Sequence, residues 1–401
     1  MTASPARRAA FETVLRVFER EAYADRAFRS VAEGLDARDR AFAQRLAYGA
    51  VQRVRTLDHA IEQLGRRPVR KLDPPVRAAL RVAAYELGFL ETPRHAVVHE
   101  AVELVRAARL ERAVAFTNAV GRRLADGIGT LLANLPEGAL KESYPDWIEQ
   151  VWLRDFGRAE ALALMRAQNE PLETVVRVVR GEVAGEPTDM PGAYRVDRVD
   201  ERSLAEGKIW PQSRGSQLAG LCVGARDGER TLDLCAAPGG KAMQLAGEVT
   251  AVEVHPGRAR ELEENARRLG ATSVTVVCAD ALALPADLRG YDRALVDAPC
   301  SGLGVLAARP DLRWRARPLP ELQRHLLRVA ADRVKPGGTI LYSVCTLTAD
   351  ENEAVVDACG LEPEQLGVEW PQFAHPRRPE FLLTTPHGHR TAGFFIARLR
   401  V

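Results

Sequence analysis

From residue 213 to the C-terminus, β-type apolar runs alternate with amphipathic helical stretches, and that rhythm constrains the fold more than any other feature. "RTLDLC" (230–235), "EVTAVEVH" (248–255), "SVTVVCAD" (273–280), "YDRALVDAPC" (291–300), "GGTILYSVC" (337–345) and "GFFIARLRV" (393–401) read as strands. A helix is expected after the Gly-rich turn that follows the first strand. "PGRARELEENARRLGA", "LPELQRHLLRVAADRV" and "TADENEAVVDAC" read as further helices. Such alternation predicts a mostly parallel, doubly wound α/β sheet. Sheets of this kind bind ligands at the carboxyl ends of their strands, near the switch point.

The rest of the 401 residues is organised differently. Residues 1–130 carry apolar side chains at helical spacing, for example Phe11, Val14, Leu15 and Phe18, with no strand-type alternation. They predict an all-α bundle. Gly and Pro cluster in "DGIGTLLANLPEGALKESYP" (126–145), which marks a boundary. Residues 140–212 then mix helical and short β-type segments and predict a small α+β unit. Three parts are thus expected: 1–130, 140–212 and 213–401.

Composition removes several classes. No run of 18 uncharged apolar residues exists, and nothing after Arg7 and Arg8 resembles the apolar core of a signal peptide. A cytoplasmic protein with no membrane span is expected. Six cysteines without a CxxC pair argue against a disulfide framework and against a zinc site, so no metal is expected. Net charge is +2 overall, but residues 1–130 alone carry about +7.

The first strand leads into "DLCAAPGGKA" (233–242). Pro238, Gly239 and Gly240 allow a tight turn and close approach to a ligand. The loop is neither G-x-G-x-x-G nor a P-loop. Glu253, at the end of the second strand, suits an acid that accepts ribose hydroxyls. Asp280, after the third strand, could accept from an adenine amino group. A Gly-rich turn followed by acids at successive strand ends suggests a nucleoside-bearing cofactor.

Asp297 and Cys300 leave the fourth strand in "DAPCSGLG" (297–304), and Cys345 leaves the fifth. Strands four and five are neighbours in a doubly wound sheet, so these groups should converge at the ligand-binding edge. Two thiols without further Cys or His are a poor metal site. They suit covalent catalysis on cytosine: a thiolate adding at C6 makes C5 able to attack an electrophilic methyl group. An acid near N3 would stabilise the adduct. A second thiol, Asp297 or water would then take the C5 proton.

The stretches "DLCAAPGGKA", "DAPCSGLG", "RPDLRW", "KPGGTILYSVCTL", "ADENEAVV" and "GFFIARL" together resemble the motifs of the Nol1/Nop2/Sun family of RNA cytosine-5 methyltransferases. "AAYELGFLETPRHAVVHEAVELVR" and "AFTNAV" resemble the RNA-binding antitermination factor NusB. A NusB-like helical domain before this catalytic domain resembles the bacterial RsmB/Sun (Fmu) type, which acts on small-subunit (16S) ribosomal RNA. The resemblance implies S-adenosyl-L-methionine as cofactor and a Rossmann-like catalytic domain over 213–401. It implies Cys345 as nucleophile, Cys300 as the residue that assists release, and Asp297 on cytosine N3 and its amino group. Cys235, Ala236, Ala237, Pro238, Gly239, Gly240 and Lys241 would hold the methionine part of the cofactor, with Glu253 on the ribose and Asp280 near adenine. It also implies that 140–212 binds RNA. The chain departs from the family in Glu253 where Asp is usual, in Ala392 before "GFF", and in Val179 within "RVV".

"RPDLRWRARP" (309–318) interleaves arginines with Trp314. Arg309, Arg313 and Trp314 are therefore expected to hold phosphates and stack on a splayed base. The basic N-terminal part could add backbone affinity or simply brace the catalytic part. The expected partner is small-subunit ribosomal RNA, and the expected state is a monomer. The alternatives are a non-catalytic RNA-binding assembly factor, a methyltransferase acting on transfer RNA, and a small-molecule or protein methyltransferase.

Overall fold

The computed structural model describes residues 3–401. They form two compact units: one runs up to Asn169 and includes Leu306–Arg315, and the other holds Glu170–Val305 and Ala316–Val401.

The first unit is helical: α1 (Pro5–Glu19), α2 (Ala24–Val31), α3 (Ala37–Gln52), α4 (Val54–Gly65), α5 (Pro74–Phe89), α6 (Arg94–Ala107), α7 (Glu111–Ala133), α8 (Ala139–Glu142), α9 (Asp146–Phe156) and α10 (Arg158–Ala167). Proline opens α1 and α5, where its missing N–H costs nothing, and Asp36 caps α3 by accepting from Asp39 N at 2.8 Å. The apolar stripes seen in the sequence meet in a core that includes Phe11, Val14, Leu46, Leu57, Leu80 and Leu124. Helices α9 and α10, expected to join the α+β unit, belong here instead. Tyr144 and Trp152 are fully buried and pack edge to face at 5.4 Å.

Leu306–Arg315 changes the reading of the arginine-rich loop. Arg313 is fully buried. Its guanidinium donates to Ser143 O at 3.0 Å, Gln52 O at 3.2 Å, Glu142 O at 3.3 Å and Asn169 Oδ1 at 2.9 Å, and to the Tyr144 hydroxyl at 3.0 Å. It lies 3.8 Å from the centroid of the Tyr144 ring. Burial draws its pKa down to about 10, so it stays charged at neutral pH. Trp314 packs on the core and donates Nε1 to Val51 O at 2.6 Å. Arg313 cannot reach RNA from here, which corrects the expectation for that residue, whereas Trp314 is half-buried. Arg309 remains partly open, 5.5 Å from the Tyr23 ring, where Arg315 also lies at 4.2 Å. Replacing Arg313 by Ala strands several buried carbonyls, at about 1–3 kcal/mol each. A loss of about 3–5 kcal/mol from the first unit is expected. Urea unfolding of Arg313→Ala, followed by helical circular dichroism, checks it.

The second unit carries two sheets. β1 (Val175–Val178), β2 (Glu186–Pro187), β3 (Ala193–Arg195) and β4 (Ile209–Pro211) form a small antiparallel sheet in the order β2-β3-β1-β4. The large sheet contains β5 (Arg230–Asp233), β6 (Glu248–Glu253), β7 (Val274–Cys278), β8 (Tyr291–Asp297), β9 (Val334–Val344), β10 (Glu362–Pro363), β11 (Leu382–Thr384) and β12 (Phe394–Arg400). Its order is β10-β12-β9-β8-β5-β6-β7, with β11 also on β12. Strands β5 to β9 are parallel, and β12 runs antiparallel to β9. The order reverses between β5 and β8, the switch point expected of a Rossmann-like sheet. Buried Leu232, Ala251, Leu295 and Leu341 line these strands.

One expected helix is missing. After the Gly-rich turn only a single 3₁₀ turn forms, Ala242–Gln244. Six residues between Gly240 and Gly247 are too few to repay helix nucleation. The helix after β9 is likewise short, Glu353–Asp357.

Candidate active site

The two predicted thiols do converge. Cys300 Sγ and Cys345 Sγ lie 3.5 Å apart. Cys345 directly follows β9, and Cys300 follows β8 by three residues. Gly304 N donates to Cys345 O at 2.9 Å, and Gly393 N donates to Gly304 O at 2.8 Å. A Cβ on Gly304 would stand 2.1 Å from Gly393 O, so only glycine lets these loops close on each other.

The pair shares its protons unequally. The hydrogen bond from Cys300 lowers the Cys345 pKa, and Lys241 helps, while burial and Asp297 oppose it. Cys300 is pushed well above the ordinary thiol range by that same bond, by burial, and by the charges of Cys345 and Glu351. Of the two, Cys345 is therefore the one that gives up its proton more readily, and Cys300 the one that holds it. No helix N-terminus supplies that low pKa. The nearest helix begins only at Glu353 and is one turn long, so the neighbouring side chains do it instead.

Asp297 is the register partner of Ser343. Its Oδ1 accepts from Ser343 Oγ at 2.7 Å, and its Oδ2 accepts from Lys241 Nζ at 2.7 Å. The Lys241 ammonium also stands 5.0 Å from the centroid of the Phe394 ring. Lys241, expected on the cofactor, thus joins the acid beside the thiols.

The cofactor loop is a cradle. A Cβ on Gly239 would meet Met243 Cε at 2.2 Å, and one on Gly240 would meet Trp210 Nε1 at 2.6 Å. Side chains hold its carbonyls: Arg258 donates to Ala237 O at 2.8 Å, Asn265 to Pro238 O at 3.1 Å, and Arg177 to Gly240 O at 3.2 Å. Arg177 is mostly buried, which draws its pKa down to about 10. Three loop N–H groups are already used: Cys235 N on Asp233 at 3.2 Å, Ala236 N on Val252 O at 3.0 Å and Gly239 N on Ala236 O at 2.7 Å. Those three N–H groups are therefore not open to an anion, and no α-helix follows to offer its N-terminus.

Glu253 ends β6, accepts from His255 N at 2.9 Å and pairs with Arg258 at 3.5 Å. Asp280 lies two residues past β7 and accepts from Leu282 N at 2.9 Å. Exposed Val254 and Leu282 flank these acids and offer apolar surface to a flat ring. Acids for hydroxyl or amino donors, apolar flanks and a glycine cradle fit an adenosine-bearing cofactor. Among the described residues no cluster of three metal-ligating side chains occurs, and no helix is long and apolar enough to cross a membrane.

Three participants escaped the sequence reading. Asp233, at the end of β5, is buried, and burial with nearby Asp297 raises its pKa to about 7. Ser343 is visible only through register. Glu351 is fully buried behind the thiols.

A family model described as 16S rRNA methyltransferase RsmB/F matches residues 221–400, and the NusB family model matches residues 4–126. A probable ribosomal RNA small subunit methyltransferase B from Synechocystis sp. is 32% identical, over 98% of this chain and 99% of its own. Ribosomal RNA small subunit methyltransferase B from Thermus thermophilus is 37% identical, over 90% of this chain and 89% of its own. The crystal structure of PH0851 shares the fold across 100% of both chains, with a TM-score of 0.80 at 24% identity.

Proposed function

Because the chain belongs to the RsmB/F family of 16S rRNA methyltransferases, we propose that it methylates C5 of a cytosine in small-subunit ribosomal RNA through a covalent Cys345–C6 adduct. The observation that carries this reading is the thiol pair at 3.5 Å beside Asp297 and Lys241, at the tips of two adjacent parallel strands.

The Cys345 thiolate adds to C6, and Cys300 stays protonated beside it. Asp297, held by Ser343 and Lys241, accepts from the exocyclic amino group of the base. The Lys241 ammonium opposes negative charge that grows on the ring. S-adenosyl-L-methionine, when bound, supplies the electrophilic methyl group. The Gly239–Gly240 cradle, Glu253 and Asp280 are the groups that would hold it. Loss of the C5 proton then returns the thiolate. The base must be unpaired or flipped to reach the sulfur. The basic NusB-family region, with Arg309 and Arg315 around Tyr23, would add contacts to the RNA backbone. A ribosomal RNA substrate places the reaction in the cytoplasm.

Bisulfite sequencing of total RNA from cells with and without the gene tests the reading. Loss of one small-subunit ribosomal cytosine signal is expected. Loss in transfer RNA instead would keep the chemistry and overturn the substrate. An unchanged RNA would favour a non-catalytic binding factor.

A further inference from the structure

We propose that Glu351 is a positioning residue whose buried carboxylate clamps the Cys300 loop to the Cys345 turn and so governs release of the methylated base. The inference rests on the covalent reading above.

The geometry is that of a hub. Glu351 Oε1 accepts from Ser301 N at 3.0 Å, Leu319 N at 3.0 Å and Gln323 Nε2 at 2.9 Å, and Oε2 accepts from Ser301 Oγ. All are donors, the pattern a carboxylate requires. Gln323 also donates to Pro299 O at 2.9 Å, so the residues on both sides of Cys300 are tied to one centre. Ser301 Oγ lies 2.7 Å from Thr346 Oγ1. Ser301 follows Cys300 and Thr346 follows Cys345, so the same centre sets the spacing of the two sulfurs. Tyr342 OH donates to Glu351 O at 2.6 Å and fixes the turn from the strand side. No Lys or Arg neutralises the carboxylate among the described contacts. A buried charge held only by neutral donors is costly, and it places a negative field at Cys300.

That field matters after attack. In the free enzyme the hydrogen bond to Cys345 and the Cys345 charge hold the Cys300 proton. Once Cys345 is a thioether those two influences vanish, and burial and Glu351 remain. Cys300 then gives up its proton to solvent more readily than in the free enzyme. As a thiolate it takes the C5 proton, the C5–H pair becomes the C5=C6 bond, and the C6–S bond breaks with its pair returned to Cys345. The groups facing Cys300 are Cys345, Glu351 and Tyr342, while Lys241 and Asp297 face Cys345.

The test uses the full chain, the cytosine-bearing RNA and S-adenosyl-L-methionine, with rapid quenching and a denaturing gel that separates the protein–RNA adduct. In Glu351→Gln one acceptor becomes a donor that faces other donors. Adduct decay is expected to slow by about 10- to 100-fold, and by several-fold more than adduct formation does. Removing a negative neighbour lowers the Cys300 pKa, so the limb over which decay quickens with rising pH moves to lower pH. Glu351→Asp keeps the charge but shortens the reach. It should slow decay while keeping the wild-type limb. Wild-type decay and limb in the Gln variant would overturn the clamp, as would equal losses in both steps with an unmoved limb. If the Gln variant does not fold, Asp decides: slowed decay supports the clamp and unchanged decay overturns it. If the wild-type enzyme itself forms no adduct, the covalent reading falls, and the clamp with it.

Discussion

Cys345→Ala stops methyl transfer, by at least about 10³-fold, with the fold intact. The substitution removes one sulfur at the tip of β9, and the backbone bond from Gly304 to residue 345 does not depend on it. Cys300 is no substitute. Its sulfur starts 3.5 Å away on a separate loop, and displacement on that scale costs orders of magnitude in a covalent step. Methyl incorporation from labelled cofactor, with circular dichroism as the folding control, checks this. Full activity in the variant would remove Cys345 from the nucleophile's role.

Cys300→Ala gives the opposite phenotype. Attack proceeds and release stalls, so the protein–RNA adduct accumulates and turnover ends near one methyl per enzyme. The variant also carries a pH signature. The hydrogen bond from Cys300 is the largest influence lowering the Cys345 pKa, and burial and Asp297 remain when it is lost. The Cys345 pKa therefore rises, and the pH at which adduct forms at half its maximal rate moves upward. A denaturing gel across a pH series reads both effects. An adduct level equal to wild type at every pH would sink the assignment of Cys300 to release.

Much of this site could be read from the chain because its parts lie at strand tips. Asp297, Cys300 and Cys345 each follow a long apolar run, and the order of such runs in a parallel sheet dictates which tips are adjacent. Other features depend on register or on distant partners. Ser343 meets Asp297 only because β8 and β9 pair at that position. Glu351 sits in a turn, and nothing in "ADENE" shows that Ser301, Leu319 and Gln323 will point at it. Arg313 misled for a physical reason. An arginine beside a tryptophan in a polar loop has the composition of a nucleic-acid contact, and the oxygens that receive Arg313 come from residues 52 and 142–169. Helices α9 and α10 carry no local mark of the core they join. The absent helix after the Gly-rich turn was a matter of length, since helical composition without enough residues gives one turn.

The buried Arg313 has a further consequence. Its partners are carbonyls, an amide and a phenol, with no carboxylate among its described ion pairs. Attraction between exposed unlike charges fades with added salt, whereas hydrogen bonds to dipoles in a dry interior do not. Raising the ionic strength should therefore strip nucleic acid from the basic surface and leave the 306–315 segment seated in the helical unit.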